Sequence, residues 1–226
     1  MSEKIRVDIW SDIACPWCYI GKRRFEAGAA AFQAQNPGVE IEVESHSFEL
    51  APDTPLDFSG SEVDFLVKHK GMPADQVEQM LGQMTELAAE DGLAFNFEAV
   101  RHANTARAHR ILHLAKERGL QQELQERLFK AYFEEGAEMS DPDTLARLGE
   151  DVGIPGDEVR AALESEEYGE AVQRDIQRAR SLGVNGVPFY LLDQKYGVSG
   201  AQSSAAFENV LEQVLGFARG AETPAG

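Results

Sequence analysis

Ile5-Arg6-Val7-Asp8-Ile9-Trp10, then Cys15-Pro16-Trp17-Cys18 and a helix-like run from Tyr19 to Gln35, is the stretch that decides the fold. The first six residues alternate apolar and polar, the period of a half-buried strand. Cys15 and Cys18 are the only two cysteines in the chain. A thiol at the first turn of a helix meets unpaired backbone N–H groups and the positive end of the macrodipole, which favour thiolate over thiol. The second sulfur, one turn further on, can close an intramolecular disulfide and so release a bound partner.

Outward from this junction, Asn36-Pro37-Gly38 reads as a turn and Val39-Glu40-Ile41-Glu42-Val43-Glu44 as a second alternating strand, giving a βαβ unit. After Ala51-Pro52-Asp53-Thr54-Pro55 the period changes, and from about Ser61 to Leu182 the periodic segments are helical. Val77, Met80, Leu81, Met84, Leu87 and Ala88 mark one bundle helix, and Ala108, Ile111, Leu112 and Ala115 mark another that stops at Gly119. A third spans Gln121 to Glu135. Ser140-Asp141-Pro142 starts a fourth that runs to about Val152, and two more cover Asp157 to Glu164 and Glu166 to Leu182. Phe189-Tyr190-Leu191-Leu192 and Tyr196-Gly197-Val198-Ser199 flank a polar turn and read as a hairpin, and Ser203 caps a last helix to Phe217.

This order predicts an α/β, thioredoxin-like fold with an inserted all-helical subdomain. Residues 1–55 and 183–218 are expected to form the discontinuous thioredoxin-like part, 56–182 the helical insertion and 219–226 a disordered tail.

The same reading assigns chemistry. Cys15 is the expected nucleophile, because Pro16 occupies an early helical position without wasting an N–H and leaves the first sulfur at the exposed end of the helix. Cys18 is the expected buried resolving thiol, with Pro16 and Trp17 between the sulfurs tuning the thiolate. Gly186-Val187-Pro188 suits a cis X-Pro bond, and in a thioredoxin-type sheet such a loop faces the cysteine helix and offers backbone groups to an extended substrate, so Val187 and Pro188 form the expected substrate-binding loop. No metal is expected: His109 and His113 sit one helical turn apart but about ninety residues from the cysteines, whereas zinc fingers use roughly a dozen. They read instead as a polar face of a bundle helix, and His46, His69 and His102 show no interpretable spacing.

Composition limits the partners. The 226 residues carry a formal charge of −18, which repels phosphate backbones and anionic lipid surfaces and leaves no basic stripe, so neither nucleic acid nor a membrane is expected as partner. Met1 to Lys4 lead straight into the first strand without an apolar leader, and no run approaches the ~18 apolar residues of a membrane span, so a cytoplasmic location is expected. In a reducing compartment a lone Cys-x-x-Cys pair is redox-active or metal-binding rather than a structural staple.

The motif CPWC followed by Tyr19-Ile20-Gly21, with Phe48 to Asp53, Asn104 to His109, Leu128 to Phe133, Gly186-Val187-Pro188 and Ser199 to Gln202, resembles the FrnE-like branch of the DsbA family of thiol-disulfide oxidoreductases over about residues 4 to 217. The resemblance implies a thioredoxin fold with a helical insertion and disulfide oxidation, reduction or isomerisation in protein or small-molecule substrates. No bound cofactor is expected, with glutathione a candidate redox partner. Two alternatives stand beside it. One is a glutathione-dependent kappa-class transferase or isomerase, in which Asn104-Thr105 belongs to the glutathione surface or is simply a helix cap. The other is a peptide-binding holdase presenting Trp17, Tyr19 and Phe48 in a groove.

Overall fold

The computed structural model describes residues 3–56, 58 and 60–221. Strand β1 (Glu3–Ser11) leads through the cysteine motif into α1 (Pro16–Gln35), which returns to β2 (Val39–Ser47). β1 and β2 pair in parallel from Glu3↔Val39 to Ser11↔Ser47, closing the βαβ unit. Seven helices follow before the next strand: α2 (Glu62–Lys70), α3 (Ala74–Glu90), α4 (Ala106–Glu117), α5 (Gln121–Phe133), α6 (Pro142–Glu150), α7 (Gly156–Glu164) and α8 (Glu166–Ser181). The hairpin β3 (Phe189–Leu192) and β4 (Tyr196–Ser199) then completes a four-stranded sheet of order β2-β1-β3-β4, with β3 antiparallel to both neighbours, and α9 (Ser204–Ala221) ends the described chain.

Local chemistry sets these boundaries. Asp141 caps α6 by accepting the Thr144 N–H, with Pro142 at the first helical position. Ser61 and Asp64 form a reciprocal capping box on α2. Ser165 separates α7 from α8 by ending one and accepting the Tyr168 N–H of the other. The β3–β4 turn depends on Asp193 and Gln194 at positive φ of 46° and 58°, with Arg6 N–H donating to Asp193 Oδ1.

The alternation of β1 has two destinations. Ile5, Val7 and Ile9 pack with Phe25 and Phe32 of α1 and with Phe207, Leu211, Val214 and Leu215 of α9. On the opposite face Trp10 packs with Ala179, Val184 and Leu191 beneath α8. Helix α1 is apolar on two sides for the same reason: Phe25 and Phe32 serve the sheet, while Cys18, Tyr19 and Ile20 join a cluster built largely from α4 to α7. The cysteine motif therefore lies at the seam between the core of the sheet and that of the helical block.

Gly28 permits the close crossing of α1 and α9, since a Cβ there would lie 2.5 Å from the Ser204 carbonyl oxygen. The stretch expected to be disordered from residue 219 is helical through Ala221. Phe217 stacks on Tyr196 at 5.4 Å and Arg219 pairs with Glu3 at 2.6 Å, which carries α9 past its expected end. Residues 222–226 lie outside the described chain. Among the described residues, no helix is long and apolar enough to cross a membrane.

Candidate active site

Cys15 is the N-cap of α1 and Pro16 its first helical residue, which places Cys18 in the first turn with its N–H donating to the Cys15 carbonyl at 3.0 Å. No carboxylate occupies that turn, so nothing within the helix offsets the positive end of its dipole. The Val187–Pro188 peptide bond is cis, and the Cys15 thiol points at the Val187 carbonyl oxygen at 3.7 Å. Gly21 makes this approach of α1 to the loop possible: a Cβ there would lie 2.7 Å from the Tyr190 hydroxyl and 2.9 Å from Pro188 Cγ. The structure thus brings Cys15, Pro16, Cys18, Val187 and Pro188 to one point, with Trp17 beside them, 40% exposed.

One expectation needs correction. Cys15 is not at an exposed end: it is only 3% accessible, against 2% for Cys18, because Ala14 and Val187 pack against the buried cluster that contains it. Both cysteines are free thiols. Burial pushes the Cys18 thiol well above its ordinary range, and the adjacent Cys15 pushes it further, while the Ser11 hydroxyl acts the other way.

The loop before Cys15 is pinned by Asp12. Its carbonyl accepts the Cys15 N–H at 3.1 Å, and its buried carboxylate accepts the Leu50 N–H at 2.7 Å and faces His109 Nε2 of α4 at 3.3 Å. Burial alone would raise the Asp12 carboxyl, but His109 and these hydrogen bonds hold it below the usual carboxylate range. His109 is correspondingly raised: burial opposes its charge and Asp12 outweighs that opposition. The expected polar face of α4 is therefore a correction too, because His109 is 1% exposed and His113 faces Asp175 Oδ2 at 3.3 Å. Neither histidine joins the sulfurs. The described residues hold one group with metal-ligand spacing, Asp8, Glu44 and His46, and it lies among Arg6, Arg178 and Lys116.

Tyr19, which the holdase alternative places in a groove, is 1% exposed and stacks on Phe129 of α5 at 4.9 Å while donating to Glu126 at 2.7 Å. The cap at α4 belongs to Asn104 rather than Thr105: its side chain accepts the Ala106 N–H at 2.9 Å and donates to the Thr54 carbonyl at 2.7 Å. Beside Pro16 and Trp17 opens a cavity of about 330 Å³, lined mainly by apolar side chains such as Phe65, Met84 and Phe97. Asp12 and Ser11 escaped the sequence reading, which took His109 only as part of a polar face and Tyr190 only as a strand residue. The available signal was position: Asp12 lies three residues before Cys15 and Tyr190 two after Pro188.

The family profile described as the DSBA-like thioredoxin domain matches residues 6–212. The chain is similar to a solved probable DsbA oxidoreductase from Streptomyces coelicolor, with 39% identity and a TM-score of 0.85 over 98% of this chain and 93% of that one. It is 28% identical over 211 residues to the uncharacterised protein YwbO of Bacillus subtilis, covering 92% of this chain and 96% of that protein. The cytosolic disulfide reductase DsbM from Pseudomonas aeruginosa, solved with GSH, shares the fold at 18% identity and a TM-score of 0.64, over 93% of this chain and 98% of that one.

Proposed function

The chain belongs to the DSBA-like thioredoxin domain family of oxidoreductases, and from that premise we propose that it exchanges disulfides with protein or small-molecule substrates through Cys15 and Cys18. In the reducing direction the Cys15 thiolate attacks a substrate disulfide. One substrate sulfur leaves as a thiolate, and the other remains bound to Cys15. The Cys18 thiolate then attacks Cys15 Sγ, forming the internal disulfide and expelling the second substrate sulfur. The oxidising direction reverses each step. Electrons balance because two substrate sulfurs are reduced as Cys15 and Cys18 are oxidised.

The observation that carries this reading is the placement of Cys15 at the N-cap of α1, facing Val187, with Cys18 buried behind it. Val187 and Pro188 present the backbone against which substrate docks, and Pro16 and Trp17 tune the thiolate between them. The apolar cavity beside Trp17 supports substrates that carry an apolar group next to the exchanging sulfur. No bound cofactor takes part. Glutathione is the proposed redox partner and the cytoplasm the proposed location, in keeping with the pair's place outside any disulfide framework.

Insulin reduction and reactivation of scrambled ribonuclease, run with wild type and the Cys15→Ser/Cys18→Ser double variant, test the proposal. Activity should be confined to wild type. Equal performance of the two proteins would leave peptide binding without redox turnover.

A further inference from the structure

Trp17 takes no part in a second cavity of about 160 Å³ that Cys18 borders. Its walls are apolar over Ile9, Phe25, Val43 and Phe129, and Cys18 itself is part of the lining. Ser11 and Tyr190 also line it: the Ser11 hydroxyl faces the Cys18 thiol, and Tyr190 OH is a buried polar atom without a hydrogen-bond partner. Tyr190 is 0% exposed and Ser11 4%. Leaving a buried hydroxyl unpaired is costly, so Tyr190 OH, with Ser11 on the same cavity, marks a place built for a hydrogen-bonding occupant. Water needs roughly 30 Å³ and two to four polar partners, and both conditions are met. Lys22 and Glu26, paired one turn apart on α1, also line the cavity, and the Glu26 side chain is 44% exposed, so it joins the lining to solvent.

We infer that this cavity is the proton route of Cys18, with water held by the Ser11 and Tyr190 hydroxyls carrying the thiol proton to Glu26 and out to solvent. The inference rests on Cys18 being the resolving thiol. A sulfur that is 2% exposed cannot hand its proton directly to bulk water, yet it must lose that proton before it can attack Cys15 Sγ. In the step proposed here, the Cys18 S–H bond breaks and its proton passes through the water to the Glu26 carboxylate, then to solvent. The Cys18–Cys15 bond forms as the Cys15–substrate bond breaks. The departing substrate thiolate takes a proton from solvent, so protons and electrons balance. Ser11 and Tyr190 act as positioning residues: they hold the water and touch neither substrate nor the bond that breaks. Burial and the negative charge developing at Cys18 keep the Tyr190 hydroxyl protonated, which leaves it able to donate.

The reaction of the reduced protein with 5,5′-dithiobis(2-nitrobenzoate) in a stopped-flow instrument separates the two steps. Attack by Cys15 releases one coloured thiolate, and resolution by Cys18 releases the second. Ser11→Ala/Tyr190→Phe should leave the first phase intact and slow the second roughly 100-fold, the low end of what positioned proton transfer contributes. Its rate should then recover at higher pH, and the wild-type second phase should show a solvent deuterium effect that the variant lacks. Glu26→Gln, an exposed substitution on α1, should slow the second phase in the same direction. A second phase as fast as wild type in both variants overturns the proton route while leaving Cys18 as resolving thiol. A second phase that survives Cys18→Ser overturns both.

Discussion

Cys15 Sγ lies 3.7 Å from the carbonyl oxygen of Val187, a residue 172 positions further along the chain. The sulfur is covered by the loop expected to receive substrate, so reaction at Cys15 requires a partner to enter beside residue 187. Cys18 has no such route from the substrate side.

The covering makes a testable asymmetry. Limited alkylation of the reduced protein with iodoacetamide should modify Cys15 first, and Val187→Ala should speed that modification by removing side-chain cover. Cys18 should stay unmodified until the protein unfolds. Peptide mass mapping over time reads both rates, and equal labelling of the two cysteines would contradict an access route that reaches Cys15 beside residue 187 and not Cys18.

Gly21 tests the seam between α1 and the loop. A methyl group there would press on both the Tyr190 hydroxyl and Pro188 Cγ. Gly21→Ala should therefore destabilise the protein by about 1–3 kcal/mol, the usual cost of overpacking, despite alanine's better helix propensity. Urea unfolding of the variant beside wild type measures it, and a stabilised variant would show that the approach is looser.

Asp12 joins the cysteine loop to α4 through His109, at a sequence separation of 97 residues. Asp12→Ala leaves the buried His109 without its carboxylate partner, and breaking such a pair costs about 3–5 kcal/mol. At ~2–4 °C per kcal/mol for a chain of this size, the thermal midpoint should fall by roughly 6–20 °C. His109→Gln should lower it less, because a neutral partner can still donate to the carboxylate.

Stability should depend on pH with a definite sign. His46 lies between Asp8 at 2.6 Å and Asp175 at 2.8 Å; burial opposes its charge, but the two carboxylates raise its pKa above 6.5. His109 is raised in the same way by Asp12. Stabilisation from a raised histidine is complete below the unfolded value of about 6.5 and is lost as pH climbs through the folded value. Asp8, Asp12 and Asp175 are held below 3.8, so their contribution is present above that value and disappears as pH falls through their folded values. The thermal midpoint should therefore be highest between about pH 4 and 6.5 and decline above it. His46→Gln should lower the plateau and flatten the alkaline decline; an unchanged slope would place the dependence elsewhere.

The cysteine junction, the parallel β1–β2 pair and the β3–β4 hairpin were legible because their information is local: period, a proline at a helix start and polar turns. The helices from α3 to α8 were legible for the same reason. The segment from 91 to 105 was not, since Leu93, Phe95 and Val100 are core residues on irregular backbone held by contacts such as the Asn96 N–H to the Phe133 carbonyl. No period marks them. The cover over Cys15, the Asp12–His109 pin and the His46 cluster all join residues from distant elements, and a single sequence carries no signal of such pairings. Tyr190 was legible as a strand residue, but its unpaired hydroxyl was not.

The most direct test of disulfide exchange through this pair is intact-protein mass spectrometry of Cys18→Ser after incubation with oxidised glutathione or a disulfide-bonded protein. The account predicts a covalent adduct of one substrate per chain, located at Cys15 and removed by dithiothreitol, with no adduct in Cys15→Ser. Absence of an adduct on Cys18→Ser, or full catalytic turnover by that variant, would contradict it.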